Sequence, residues 1–422
     1  MNQLSFLNNR RQPQRADSLA NRALDLSKRL DYPPGEAYAW YNLGILDYLN
    51  GEFSKAADKF YTALYLYEDQ HDTAMMIDVH VQLASTLYFS ETEKTKGQKM
   101  LEEGLKLALA SKNNLRTAQI YASFGYMANT LTSPDGTVGK QMFEKYYQYI
   151  EGIPVNRIER ALMIASYGDS YRLAGDVRTG IDRYLMSFKI YDPEIIEERA
   201  LMSQCSSTLG DMYEEIGKPD SALYFYKYGI GLSRKYGHLY GLYRGYLYMA
   251  DFFHNRGLSQ KAESCCDSAI YYGRISSISG SFYVKDEYAR VPGVSMEIYV
   301  PISKGYKKFM AWSFILDSYE LLETIYNETG EIPKAYAALK ESSKVRDSIY
   351  LYNRNKELKE IQARYETAKK EEEISSLSQA NQLQQLKIRQ NSFFLAGMGG
   401  LLGLIVLLAI LLLRQNKLKA DN

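Results

Sequence analysis

A motif recurring about every 40 residues dominates this chain and restricts what it can fold into. The segment "AYAWYNLGILDYLNGEFSKAADKFYTAL" from Ala37 aligns with "SQCSSTLGDMYEEIGKPDSALYFYKYGI" from Ser203. Leu43-Gly44, Gly51, Ala56, Phe60 and Ala63 mark the first. Leu209-Gly210, Tyr213, Gly217, Ala222, Tyr226 and Gly229 mark the second. Further copies carry Tyr167-Gly168 with Gly175 and Tyr184, Met249-Ala250 with Gly257 and Ala262, and Leu322 with Gly330 and Ala335. Weaker ones sit at Leu83-Ala84 and Phe124-Gly125. A repeat of this length is one supersecondary unit, too small to bury its apolar face alone, so the copies must stack. Small residues such as Gly44 and Ala56 allow two helices to approach, and Gly51 supplies a tight turn.

These landmarks resemble the tetratricopeptide repeat, two antiparallel helices with small residues where they cross and aromatics filling the gaps. Trp40 stands where that family places its tryptophan. The resemblance implies a tetratricopeptide-type helical-hairpin solenoid over residues 1–345; with the segments after it, read below, the expected fold is all-α, the solenoid followed by a long helical stalk and a single C-terminal transmembrane helix. The pitch exceeds the family's 34 residues. Longer inter-helix linkers such as "DYPPGE" and "YDPEIIEE", whose prolines stop one helix and start the next, are the expected cause. An irregular insertion near 273–306 interrupts the array, with a strand-like "MEIYV" inside it. It reads either as a decayed repeat or as a loop that contacts a ligand. Ala16, Ala20 and Ala23 fit the second helix of an earlier copy, whose first helix would begin before Met1. The expectation is a natural start upstream, with room for the secretion signal that "MNQLSFLNNRRQPQRADS" does not contain.

After the repeats, residues 346–391 run without proline or glycine. Leu358, Ile361, Tyr365 and Ala368 form a seam that slips and resumes near Ile374 and Leu377, as in a solitary solvated helix or a weak coiled coil. Residues 392–413 form the expected membrane helix, since the uncharged run from Phe393 to Leu413 is long enough to cross ~30 Å of hydrocarbon. A short tail, 414–422, follows. Ala396, Gly399, Gly400 and Gly403 lie four apart in two pairs, a small-xxx-small face on which two membrane helices can pack, and with the stalk this favours a parallel homodimer. The stretch "RYETAKKEEEI" at Arg364–Ile374, followed by a span, resembles the sensor half of Bacteroidetes-type membrane histidine kinases and LuxR-type regulators. That resemblance implies periplasmic repeats feeding a signal through the membrane. Lys387 and Arg389 before the span against Arg414, Lys417 and Lys419 after it favour a cytoplasmic tail, by one charge. The alternative keeps the array in the cytoplasm as a tail-anchored scaffold.

Chemistry has little to stand on. With 51 basic and 50 acidic residues there is no electrostatic footprint for nucleic acid. The histidines His71, His80, His238 and His254 are scattered without metal-ligand spacing. Cys265-Cys266 reads as small core filler, and Cys205 as a free thiol. No phosphate loop, nucleophile elbow or kinase signature occurs. Neither catalysis nor a cofactor or metal is expected.

Binding is the better-supported class. In the tetratricopeptide family the first helix of each pair lines a concave groove that takes a protein or peptide partner. Counting from the Leu-Gly landmarks places Tyr38, Asn42, Tyr48, Gln82, Tyr126, Asp169, Arg172, Asp211, Glu214, Arg244, Tyr248, Asp251 and His254 there. Asp169, Asp211 and Asp251 occupy one place in three successive copies. Such a ladder either receives a basic peptide or is paired off by Arg172 and Arg244 and solvated. Tyrosine, with 38 copies, offers amphipathic contact area, although many tyrosines belong to the repeat core.

Overall fold

The computed structural model describes residue 3 and residues 13–89, 94–129, 135–280, 304–354 and 387–389. The chain divides into two compact units, Met1–Glu360 and Ile361–Asn422. Of the second, only the helical residues 387–389 are described. The membrane helix expected at 392–413, its face of Ala396, Gly399, Gly400 and Gly403, and the stalk beyond 354 apart from 387–389 lie outside the described residues. Among the described residues no helix is long and apolar enough to cross a membrane.

Every regular element described in the first unit is helical. One helix, α1 (Pro13–Arg29), comes before six hairpins: α2 (Pro33–Leu49) with α3 (Phe53–Asp69), α4 (Thr73–Phe89) with α5 (Lys94–Ala110), α6 (Asn114–Met127) with α7 (Thr137–Tyr149), α8 (Arg157–Leu173) with α9 (Val177–Ile190), α10 (Ile196–Glu215) with α11 (Pro219–Tyr236), and α12 (Leu239–His254) with α13 (Ser259–Ser279). A seventh joins α14 (Lys304–Glu328) to α15, residues 332–354. Each helix packs on the next, so the unit is a helical-hairpin solenoid of tetratricopeptide type. The α1 helix sits in the second-helix place of a pair, its Ala16 and Ala20 buried against Leu43 and Leu46 of α2.

The long pitch has a different cause from the one expected. In the first pair both helices have 17 residues, joined by the short turn 50–52. Pro33 and Pro34 of "DYPPGE" lie inside α2, at its first positions, rather than in a linker. Extra helix, not extra loop, lengthens most repeats. The insertion also starts later than expected. Residues 273–279 remain helical in α13, because Gly273 lies so close to α14 that a methyl group on it would meet Ile315 at 2.7 Å. Helix α14 is already under way at 304, and the "MEIYV" segment lies outside the described residues.

One device fastens most pairs. A second-helix ring seats against a glycine of the first helix, where no side chain fits. A methyl group would lie 2.7 Å from Phe60 at Gly44, 2.7 Å from Phe143 at Gly125, 2.8 Å from Tyr184 at Gly168 and 2.4 Å from Tyr226 at Gly210. In the sixth pair Ala250 takes the glycine's place and Cys266 the ring's, both fully buried. The turns between paired helices use left-handed glycines, as at Gly51 with φ 77° and Gly217 with φ 70°.

Candidate functional site

The two sides of the array differ. First helices of successive pairs touch one another, as α10 touches α12, while successive second helices make no comparable contact. Each pair is therefore a wedge with its first helix at the narrow, inner edge. The charged groups of that inner face are close enough to act on each other: Tyr126 of α6 feels Asp169 of α8 and Tyr240 of α12.

Three predicted groove residues are not available to a partner. Asn42, Tyr48 and Gln82 are only 2–3% exposed. Tyr48 joins the apolar core beside Phe53, ring centroids 5.9 Å apart. The close approach of α1, α2 and α4 at this end covers positions that helical phase alone assigns to the inner face. Tyr38 is half-buried, its ring 6.2 Å from that of Tyr41. Tyr126 is also half-buried, and desolvation pushes its phenol up to about 12.

The aspartate ladder resolves into two internal ties and one open position. Tyr184 donates its hydroxyl to Asp169 at 2.7 Å, and Tyr226 donates to Asp211 at 3.1 Å. In each case the ring slides under the first-helix glycine and its hydroxyl reaches the next residue, 15 positions earlier in sequence. Fifteen residues beyond Asp251 stands Cys266, which carries no phenol. Among the described residues the Asp251 carboxylate has no hydrogen bond or ion pair, and its side chain is exposed. Partial desolvation and the neighbouring carboxylates of Asp211, Glu214 and Asp317 raise it to about 6, against a lowering pull from His254.

Most of the remaining charges are taken. Arg172 contacts Asp211 at 3.2 Å and donates from Nε to Glu215 at 2.8 Å. Arg256 holds Glu214 at 2.8 Å, and His254 lies 3.7 Å from Glu328. Arg244 is the exception among the arginines. Its Nη2 donates to the Thr208 hydroxyl at 3.2 Å, and the guanidinium lies 5.2 Å from the Tyr248 ring centroid. Neighbouring tyrosines push its pKa up against the effect of desolvation, and no carboxylate ion-pairs with it among the described residues. Thus Asp169, Arg172, Asp211, Glu214, Arg244, Tyr248, Asp251 and His254 do come together on α8, α10 and α12, but only Arg244 and Asp251 retain unused bonding capacity. Thr208, Tyr184, Tyr226 and Asp317 belong to the site and were not foreseen. The 15-residue spacing from aspartate to tyrosine is the sequence signal that marks the two phenols.

Asp169 makes the site's pH behaviour testable. Burial raises its carboxyl to about 6 from the usual 3.8, opposed by Tyr184, Arg172 and Arg244. A raised acid contributes stability that is present below pH ~4 and lost as pH rises through 6. Asp169→Asn keeps an acceptor for Tyr184 and removes the titration. The stability of the native chain minus that of the variant should fall by about 2 kcal/mol between pH 4 and 7. Melting both proteins across that range checks it, and a constant difference contradicts it.

Among the described residues no group of three or more His, Cys, Asp and Glu side chains is placed to hold a metal ion. Cys205, Cys265 and Cys266 are free, buried thiols, and desolvation pushes Cys205 up to about 12 and Cys265 to about 11. On the outer side a cleft of about 450 Å³ between α3 and α5, floored by Met76 and His80, is mainly apolar.

No protein-family model matches the chain, and no curated protein matches it. Several solved structures share helical-repeat architecture. Aspartyl phosphate phosphatase F from Bacillus subtilis is 13% identical, with 81% of this chain and 92% of that one covered and a TM-score of 0.46. A Rap protein in complex with competence and sporulation factor is 12% identical over 82% of this chain and 84% of that one, TM-score 0.46. A signal-transduction ATPase with a tetratricopeptide repeat sensor from Pyrococcus horikoshii is 14% identical, TM-score 0.44; 82% of this chain aligns with 54% of it.

Proposed function

We propose that this chain is a non-enzymatic, membrane-anchored binding module whose first-helix groove receives a protein or peptide segment. Its role is signal input for a two-component or transcriptional-regulatory system. The observation that carries the reading is the meeting of α8, α10 and α12 around Arg244 and Asp251, two groups of opposite charge that the array leaves without an ion-pair contact among the described residues. A fold stabilised only for its own sake gains little from a desolvated cation whose nearest carboxylate, Asp169, acts on it without an ion-pair contact. The uncharged run Phe393–Leu413 supplies the anchor, and its small-residue face with the preceding helix supplies a parallel dimer through which engagement reaches the other side. The excess of one basic residue after the run supports an array outside the cytoplasm, in the periplasm.

Protease accessibility in intact spheroplasts, followed with antibody to the array, tests this placement. Digestion of the array without lysis is the expected result. Protection until detergent is added overturns signal input from outside and makes the chain a tail-anchored scaffold on the cytoplasmic face.

A further inference from the structure

The two groove charges that lack an ion-pair contact among the described residues have a fixed relation to one another. Arg244, Tyr248 and Asp251 follow 4- and 3-residue steps along α12, so they share one face of the helix. Seven residues of helix separate the two charges by about 10 Å along the axis, too far for them to pair with each other. Each lacks what its neighbours possess. Asp251 has no phenol because Cys266 stands where Tyr184 and Tyr226 stand in the preceding pairs. Arg244 donates only to neutral hydroxyls, those of Thr208 and Tyr248, and although Asp169 acts on it electrostatically, no carboxylate is in ion-pair contact with it among the described residues. Asp317 of α14 adds a second carboxylate near Asp251, which strengthens the preference for a cation at that end.

We infer that this strip reads an extended peptide segment carrying an acidic residue and a basic residue three positions apart, the acid on Arg244 and the base on Asp251. The spacing follows from geometry. A polyproline-II segment has three residues per turn and rises 3.1 Å per residue, so positions i and i+3 point the same way about 9 Å apart. The two residues between them pass over Tyr248, an amphipathic surface that costs little side-chain entropy. Opposite charges at the two ends also fix the direction in which the segment lies, because the reversed segment would set like charges against each other. The inference rests on the reading of the first-helix face as the binding surface.

The test is selection of a displayed library of random seven-residue peptides on the full chain in detergent, repeated on Arg244→Gln and on Asp251→Asn. The native chain should enrich peptides with an acid and a base three apart in one order. Arg244→Gln should lose the acid from its enriched set, and Asp251→Asn, at an exposed position, should lose only the base. A synthetic peptide from the native set should bind each variant at least tenfold more weakly. The same loss should follow when the peptide's own acid is changed to its amide, a comparison that leaves the protein untouched. Enriched peptides without the pair, or peptides bound equally by both variants but lost on Tyr248→Ala, overturn the inference and leave the binding surface standing. No enrichment at all, or peptides indifferent to all three substitutions, overturns both.

Discussion

Tyr226→Ala lowers the unfolding free energy of the array by about 4 kcal/mol, while Tyr226→Phe costs only about 1 kcal/mol. The ring is 1% exposed, seated against Gly210 and edge-on to Phe252 with centroids 6.0 Å apart. Removing it empties the joint between α10, α11 and α12, and the glycine that made room for the ring has no side chain to refill it. Removing only the hydroxyl leaves the packing intact. Asp211 then keeps Arg172, and Glu214 keeps Arg256. Denaturant unfolding of both variants checks the ratio. In a stacked array the larger loss should also split the transition in two, because contacts reach only adjacent pairs. Equal losses for the two substitutions would place the stabilisation in the hydrogen bond and contradict the glycine-and-ring account.

Arg157→Ala is the second large effect, about 3 kcal/mol. The Glu198 carboxylate is nearly buried, with 6% of its side chain accessible, and takes Arg157 in a two-pronged contact that ties α8 to α10. It also accepts the Asp192 backbone N–H at 2.7 Å, which fixes the connection between α9 and α10. Arg157 itself is half-exposed, at 47%. Losing the arginine strands a buried charge, whereas losing the glutamate leaves a cation that water can solvate. The double variant Arg157→Ala/Glu198→Ala should therefore be more stable than Arg157→Ala alone, by about 1 kcal/mol. Thermal melts of the three proteins decide it; a double variant less stable than the single one would show that the carboxylate is not the stranded group.

The repeat landmarks made the pairing legible before any coordinates. Gly51, Gly175, Gly217, Gly257 and Gly330 all take up left-handed turns between helices, as a glycine spaced seven or so residues after the Leu-Gly step requires. Ala16 and Ala20 likewise revealed a helix in the second-helix place, packed on Leu43 and Leu46. What stayed hidden depends on which residue of one helix meets which residue of another, inside a pair as well as between pairs. Helical phase puts Asn42, Tyr48 and Gln82 on the inner edge, yet only the packing of neighbouring helices, Phe53 of α3 against Tyr48 among them, decides that they are covered there. The three aspartates look equivalent in sequence. They diverge because their second-helix partners are tyrosine, tyrosine and cysteine, a difference 15 residues away that becomes meaningful once the ring is known to cross beneath the glycine. The electrostatic influence of Tyr240 on Tyr126 has no local signal at all, since it arises between helices three pairs apart.

A photo-crosslinking amino acid placed at Tyr248 on the inner face, and separately at Tyr65 on the outer face, tests the central claim in native membranes. Tyr65 is 69% exposed, so it offers the more accessible site of the two. If the first-helix groove is where the partner sits, irradiation yields a recurring peptide adduct from Tyr248, mapped by mass spectrometry, and none from Tyr65. Adducts from Tyr65 alone, or the same adduct from both positions, would contradict it.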